Sequence, residues 1–194
     1  MNNFKRREWL KTALGALGLA GAAGLRLTSA EGESEKKFSS EFGPDWDVAK
    51  AYTLEVAEAM PAEKYSFKPA DPMRSFGEVL VHIGGSMYFM AASVRGAEAP
   101  AESKFAGEAT KERVVSFLRG AFEYAAESVA MLDDTKASET VSVFGGRMTM
   151  SRAKLCQFMR DHSTHHRAYV LPYLRLNGVE PPRYRFAGRG PSPV

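Results

Sequence analysis

Residues 151–178 read SRAKLCQFMRDHSTHHRAYVLPYLRLNG. Leu155, Met159, His162, His166, Tyr169 and Tyr173 step through this stretch by three or four, the interval that returns an α-helix to one face. The spacing predicts a helix that begins near Ser151 and is capped at its end by Asn177-Gly178, with Pro181-Pro182 preventing continuation. Pro172 lies inside the pattern. It removes a backbone donor and is expected to kink the helix after the histidines, at a cost of about 3 kcal/mol if unrelieved.

Upstream, the same period recurs. Ser75 and Glu78 have the spacing of a capping box, and Phe76, Val79, Leu80, Ile83, Met87 and Met90 follow as a helical stripe. His82 falls just off this stripe. Gly84-Gly85 weakens the helix but lets a neighbour approach closely. A further helix is expected from a cap at Thr110 to about Leu132, burying Val114, Leu118, Ala121, Ala125 and Val129, with Asp133-Asp134 ending it. The earliest helix is expected over Asp45 to Met60, between Pro44 and Pro61, with Tyr52, Val56 and Ala59 on one face. TVSVFGGRMTM, residues 140–150, alternates around Gly145-Gly146 and reads as a short β-hairpin or extended loop. The expected fold is therefore all-α: a four-helix bundle with a short hairpin or extended excursion before its last helix. The long connection from Val94 to Thr110 permits a topology other than simple up-and-down.

The chain has 194 residues, enough for one domain with a real core. Its 44% hydrophobic and 25% charged content are those of a soluble globular protein. A single cysteine, Cys156, excludes an intramolecular disulfide framework and a multi-cysteine zinc site. Cys156 lies about 120° from His162 around the helix and reads as a small core residue.

The excess positive charge is concentrated in the first thirty residues, where Lys5, Arg6, Arg7, Lys11 and Arg26 face only Glu8. The remainder is near neutral and offers no footprint for nucleic acid. The same thirty residues carry a basic opening, an apolar run from Ala13 to Leu25, and small residues ending at Ala30. That order predicts a secretory signal cleaved after Ala30, too short to span a membrane comfortably. An uncleaved amphipathic anchor is the alternative. Arg6-Arg7 followed by Glu8-Trp9-Leu10-Lys11 resembles the twin-arginine export signal. The resemblance implies a bacterial protein exported already folded to the periplasm or cell envelope, with no stable membrane insertion after cleavage. No cysteine marks a lipoprotein. Residues 31–42 read as a flexible linker, 43–180 as the bundle and 181–194 as an irregular tail.

His162 and His166 are four apart, so two imidazoles one turn apart can converge on one ion. Two adjacent inward-facing imidazoles are hard to satisfy in apolar surroundings, and a metal satisfies them. The alternative is a pair of partly exposed helix histidines that interact with the helix dipole. His82, on another helix beside its apolar stripe, strengthens the metal reading. Three imidazoles from two facing helices leave coordination positions open, as catalytic sites do. His165 points about 60° from His162 and is the rival ligand, or else a surface contact with Asp161. Other metal-enzyme patterns fail. Ser163 stands where a zincin motif needs glutamate, and paired E-x-x-H motifs are absent.

RSFGEVLVHIGGSMYF (74–89), HSTHHRAYVLPYLRLNGVEPPRY (162–184) and EKYSFKP (63–69) together resemble the DinB-like superfamily of DNA-damage-inducible helical proteins. The resemblance implies a four-helix bundle in which His82, His162 and His166 hold a divalent metal, zinc or nickel. It implies a thiol-dependent transferase or isomerase acting on a small molecule. An incomplete three-histidine sphere also suits a metal-dependent hydrolase; the alternative is a non-enzymatic metal-binding stress or interaction protein of the envelope. Ala168 and Tyr169 stand where the family commonly has glycine and glutamine, which leaves the pocket wall open. Glu78 is expected to complete the capping box in preference to orienting His82. Arg167, which matches the family's arginine, is expected in a structural ion pair. Tyr169 and Tyr173 line the pocket or belong to the core. A homodimer through apolar helix faces is a further expectation.

Overall fold

The computed structural model describes residues 36–185. The elements run α1 (Lys37–Ala59), α2 (Phe76–Arg95), α3 (Lys111–Ala130), α4 (Asp134–Ser138), β1 (Thr140–Val143), β2 (Met148–Ser151) and α5 (Arg152–Leu176). The expected signal peptide, residues 1–30, lies outside the described residues. So do 31–35 of the expected linker and 186–194 of the expected tail.

The four long helices form the bundle. α1 packs on α3 and α5, and α2 packs on the same two, so α1 and α2 stand at opposite corners. The chain therefore crosses the bundle diagonally between Met60 and Ser75, and the topology is not simple up-and-down. The 94–110 connection, whose length permits such a topology, instead joins the neighbouring helices α2 and α3. The core is where the helical stripes predicted it. Phe76, Leu80, Ile83, Val114, Leu118, Ala121, Ala125, Leu155 and Met159 have no exposed surface.

Two local readings are corrected. The linker does not extend to residue 42: α1 already begins at Lys37, and Pro44 lies within it. Proline there removes the donor that Ser40 would have accepted. Burial on the same helix face outweighs this, because Phe42 stacks between Phe38 and Trp46, at centroid distances of 5.4 and 6.1 Å. Trp46 in turn packs on Phe122 at 5.4 Å. Second, Asp133-Asp134 does more than end α3. Asp133 caps α4 by accepting from the Lys136 N–H at 2.7 Å, and Asp134 accepts from the Phe38 N–H at 2.9 Å, tying down the start of α1. As expected, α5 runs through Pro172 and ends at Leu176, with Asn177 as its C-cap.

The hairpin forms as predicted, with Val143 paired to Met148 and Thr140 to Ser151. Its turn is wider than the two glycines suggest. Phe144, Gly145 and Gly146 all take positive φ, at 55°, 66° and 86°. Residues 181–185 are irregular but docked on α1: the Tyr52 hydroxyl donates to Pro182 O at 3.3 Å, and Arg185 Nε donates to Glu55 at 2.9 Å. Among the described residues no helix is long and apolar enough to cross a membrane.

Candidate metal centre

Each histidine is placed by a neighbour that fixes its helix. The capping box starts α2 as expected: Ser75 Oγ accepts from the Glu78 N–H at 3.2 Å, and Glu78 Oε2 accepts from the Ser75 N–H at 2.7 Å. Buried Leu80 and Ile83 then set the rotation of α2, leaving His82 half-buried on its flank. α5 lies between α1 and α2, so residues about 100° apart on it face the two in turn. Arg167 faces α1. Its guanidinium sits 4.4 Å from the Tyr52 ring centroid and donates to Thr53 Oγ1 at 3.1 Å. His162 and His166 consequently face α2.

The three rings meet. One ligand nitrogen from each of His82, His162 and His166 lies within 4.8 Å of the other two. The ring centroids are 5.1 Å apart for His82 and His162, 4.5 Å for His82 and His166, and 4.4 Å for His162 and His166. Nε2 of His82 is 3.2 Å from Nε2 of His166. Two ligands of a tetrahedral zinc, each about 2.0–2.1 Å from the ion, stand about 3.3–3.4 Å apart. The same contact serves as a hydrogen bond when one ring presents N–H and the other a lone pair.

Metal ligation requires neutral rings, and burial favours that state. It pushes His162 and His166 down from the usual 6.5 to about 4, with the neighbouring histidines adding to the shift. His82 is lowered as well, by burial and then by the charge of Arg74. Three convergent, neutral, half-buried imidazoles are the donor set a borderline-soft divalent ion takes.

The other candidates fall into place around this centre. His165 is exposed and outside the triad, its ring 4.9 Å from His166 and 5.2 Å from Tyr169. Asp161 does not support it, but pairs with Arg160 at 3.2 Å. Glu78 is occupied by the cap and by Lys68 at 3.7 Å, and the Ser75 backbone hydrogen bond holds its carboxyl below the usual range. Arg167 is structural, but no carboxylate among the described residues pairs with it, so the expected ion pair is replaced by ring and hydroxyl contacts. Tyr173 is core, and its hydroxyl donates to Arg74 O at 3.2 Å. Tyr169 is exposed beside His166, at 6.2 Å between rings. Cys156 is fully buried and its thiol is pushed up to about 12, which leaves it unreactive.

Three residues near the triad were not expected from the sequence: Arg74 shares a groove with His82, and Phe144 and Phe158 share a cleft with His82 and His162. Phe158 carried a usable signal, being one turn before His162 on the same helix. Arg74 and Phe144 reach the site through tertiary packing.

Comparison with known proteins agrees with this architecture. A family model described as the DinB superfamily matches residues 45–170. The chain is 30% identical over 141 residues to a Bacillus subtilis (strain 168) protein named "Uncharacterized protein YjoA", covering 69% of this chain and 87% of that one. A crystal structure of a DinB-like protein from Bacillus cereus superposes with a TM-score of 0.67 at 18% identity, covering 75% of this chain and 97% of the other. The crystal structure of a DinB-like protein, YjoA, from Bacillus subtilis gives a TM-score of 0.61 at 22% identity, with 77% and 97% covered.

Proposed function

The chain belongs to the DinB superfamily, and from that premise we propose that His82, His162 and His166 hold a divalent ion, zinc or nickel, for chemistry on a small molecule. The observation that carries this reading is the convergence of three imidazole nitrogens from two helices within 4.8 Å. Three protein ligands leave the fourth position for a substrate. When bound, such an ion supplies Lewis acidity to a substrate oxygen or sulfur and lowers the pKa of what it binds. The reaction class is a metal-dependent hydrolysis or a thiol-dependent group transfer.

The residues have separate tasks in this scheme. The buried flank of each helix keeps the imidazoles neutral and therefore free to ligate at neutral pH. Arg167 and the capping box hold the two helices in rotation, so the donor atoms stay within reach of one ion. The test is metal analysis of the purified protein beside its His162→Ala and His166→Ala variants. About one divalent ion per parent chain is expected, and its loss from both variants. Undiminished metal content in the two variants would refute the assignment.

One observation favours a second reading, a metal-binding envelope protein without catalysis. Among the described residues no carboxylate hydrogen-bonds to any of the three rings. On this reading the metal serves folding, and a chelator unfolds the protein. Unchanged stability on chelation removes it. The N-terminal pattern supports export by the twin-arginine route. Replacing Arg6 and Arg7 by lysine is expected to retain the protein in the cytoplasm, and continued export would overturn that reading.

A further inference from the structure

Two adjacent glycines in the middle of α2 have different explanations. A Cβ on Gly84 would lie 2.6 Å from the Phe117 ring, so only glycine lets α3 approach there. A Cβ on Gly85 would meet nothing within 4 Å. Glycine inside a helix is less favourable than alanine by about 1 kcal/mol, and no packing within the protein accounts for it at Gly85. The space beside Gly85 is a cleft of about 460 Å³, lined in part by His82 and His162. Ligand pockets of roughly 300–1,000 Å³ include this size.

The walls of the cleft are aromatic. Phe144 lies 5.5 Å from Phe89 and 6.1 Å from Phe158, and Phe158 lies 6.4 Å from His162, all between ring centroids. Phe144 holds its wall position from a backbone φ of 55°, uncommon for a bulky residue. Phe89 is 41% exposed although it is one of the largest apolar side chains of α2.

His82 also borders a second, larger groove, of about 1,070 Å³, on which Arg74 lies. Lys68 and Lys111 on the same groove are paired with Glu78 and Glu58. Among the described residues no carboxylate pairs with Arg74, while its backbone is held by the Tyr173 hydroxyl at 3.2 Å.

We infer that the Gly85–Phe89–Phe144–Phe158 cleft is a substrate subsite for a flat apolar group, and that Arg74 holds an anionic group of the same molecule across His82. The ligand class is a small aryl or arylalkyl anion, lying over the triad with its reactive centre between ring and charge. This assignment rests on the metal reading for its chemistry, but the cleft and Arg74 are present without an ion, so their binding preference is measured independently.

The experiment is calorimetric titration of acetate, 3-phenylpropanoate and the neutral 3-phenylpropanamide into metal-loaded and metal-free protein, with metal content measured on the same samples. The parent is expected to bind 3-phenylpropanoate at least tenfold more tightly than acetate in both forms. Gly85→Leu, whose side chain enters open space and leaves the helix intact, is expected to bring that ratio to about one. Phe144→Gly, compatible with the positive φ, is expected to lower it severalfold. Arg74→Gln is expected to weaken both carboxylates alike, preserve their ratio, and bring the carboxylate and the amide level. A parent ratio near one, or a ratio that survives Gly85→Leu, overturns the subsite. An amide that binds the parent as well as the carboxylate overturns the role of Arg74. Absence of metal from the parent sinks the metal reading alone, since the titration of the metal-free form still reports on the cleft.

Discussion

The Arg167 guanidinium lies 4.4 Å from the centre of the Tyr52 ring, across the interface of α5 with α1. His166 precedes Arg167 by one residue and faces α2. The two positions are coupled by the helix: with Arg167 anchored on Tyr52 and Thr53, α5 has one rotation, and that rotation aims His162 and His166 at His82. The arginine is the means by which a residue on the far side of the helix orients the ligands.

Replacing Arg167 tests this coupling. Arg167→Ala removes a buried cation–π contact, hydrogen bonds and the packing of a long stem, and is expected to destabilise by about 2 kcal/mol in urea unfolding. The discriminating readout is metal affinity at a temperature where the variant is fully folded, expected to fall about tenfold, as for partners that orient a ligand. Arg167→Lys keeps the charge but lacks the planar fork, and should recover only part of either loss. Unaltered affinity in folded Arg167→Ala would confine the residue to stability.

The histidines themselves separate by position. His82→Ala is expected to weaken metal binding at least a hundredfold in competition with a chelator, because it leaves two ligands on one helix. His165→Ala, which removes an exposed ring outside the triad, should change affinity less than about twofold. Equal effects from the two substitutions would move His165 into the coordination sphere.

Most of this architecture was legible because helical spacing reports directly on burial. The stripes around Leu80, Leu118 and Leu155 became the core, and the i, i+4 histidines followed once α5 was assigned. The start of α1 was not legible. Pro44 suits a first turn, and what favours helix upstream of it is side-chain packing and a distant partner: Phe42 stacks on Trp46, and Asp134, 96 residues along the chain, accepts from the Phe38 N–H. The partner of Arg167 was hidden for the same reason: the family resemblance implied a structural ion pair, but whether a carboxylate or a tyrosine face meets the guanidinium depends on α1. The aromatic wall of the cleft needed the hairpin folded back so that Phe144 reaches Phe89, a relation that no local pattern encodes.

The depressed pKa values give a pH dependence of defined sign. Burial lowers His162 and His166 to about 4, against the usual 6.5 in the unfolded chain, and lowers His82 in the same direction. Above about pH 6.5 both states carry neutral rings and the stability contribution is fully present. Between about 6.5 and 4 the unfolded chain binds more protons, so stability falls as pH falls. Metal-free protein is therefore expected to lose Tm steadily from pH 7 to pH 4.5, and His162→Gln to flatten the slope. Metal-loaded protein should show a steeper loss, since protons then also compete with the ion. A metal-free Tm independent of pH over this window would mean that the rings are not desolvated as described.

The paired glycines of α2 predict opposite responses to the same substitution. Gly84→Ala places a methyl 2.6 Å from the Phe117 ring, which is itself packed on Tyr88 at 5.5 Å and on Phe105 at 5.2 Å. That ring cannot retreat without disturbing the α2–α3 interface, so overpacking is expected to cost about 1–3 kcal/mol, beyond any helix-propensity gain. Gly85→Ala puts its methyl into open space and should gain about 0.5–1 kcal/mol from propensity alone. Urea unfolding of the two variants beside the parent decides the matter. If Gly85→Ala proves as destabilising as Gly84→Ala, the space beside Gly85 is filled by the protein itself and no room for a ligand remains next to His82.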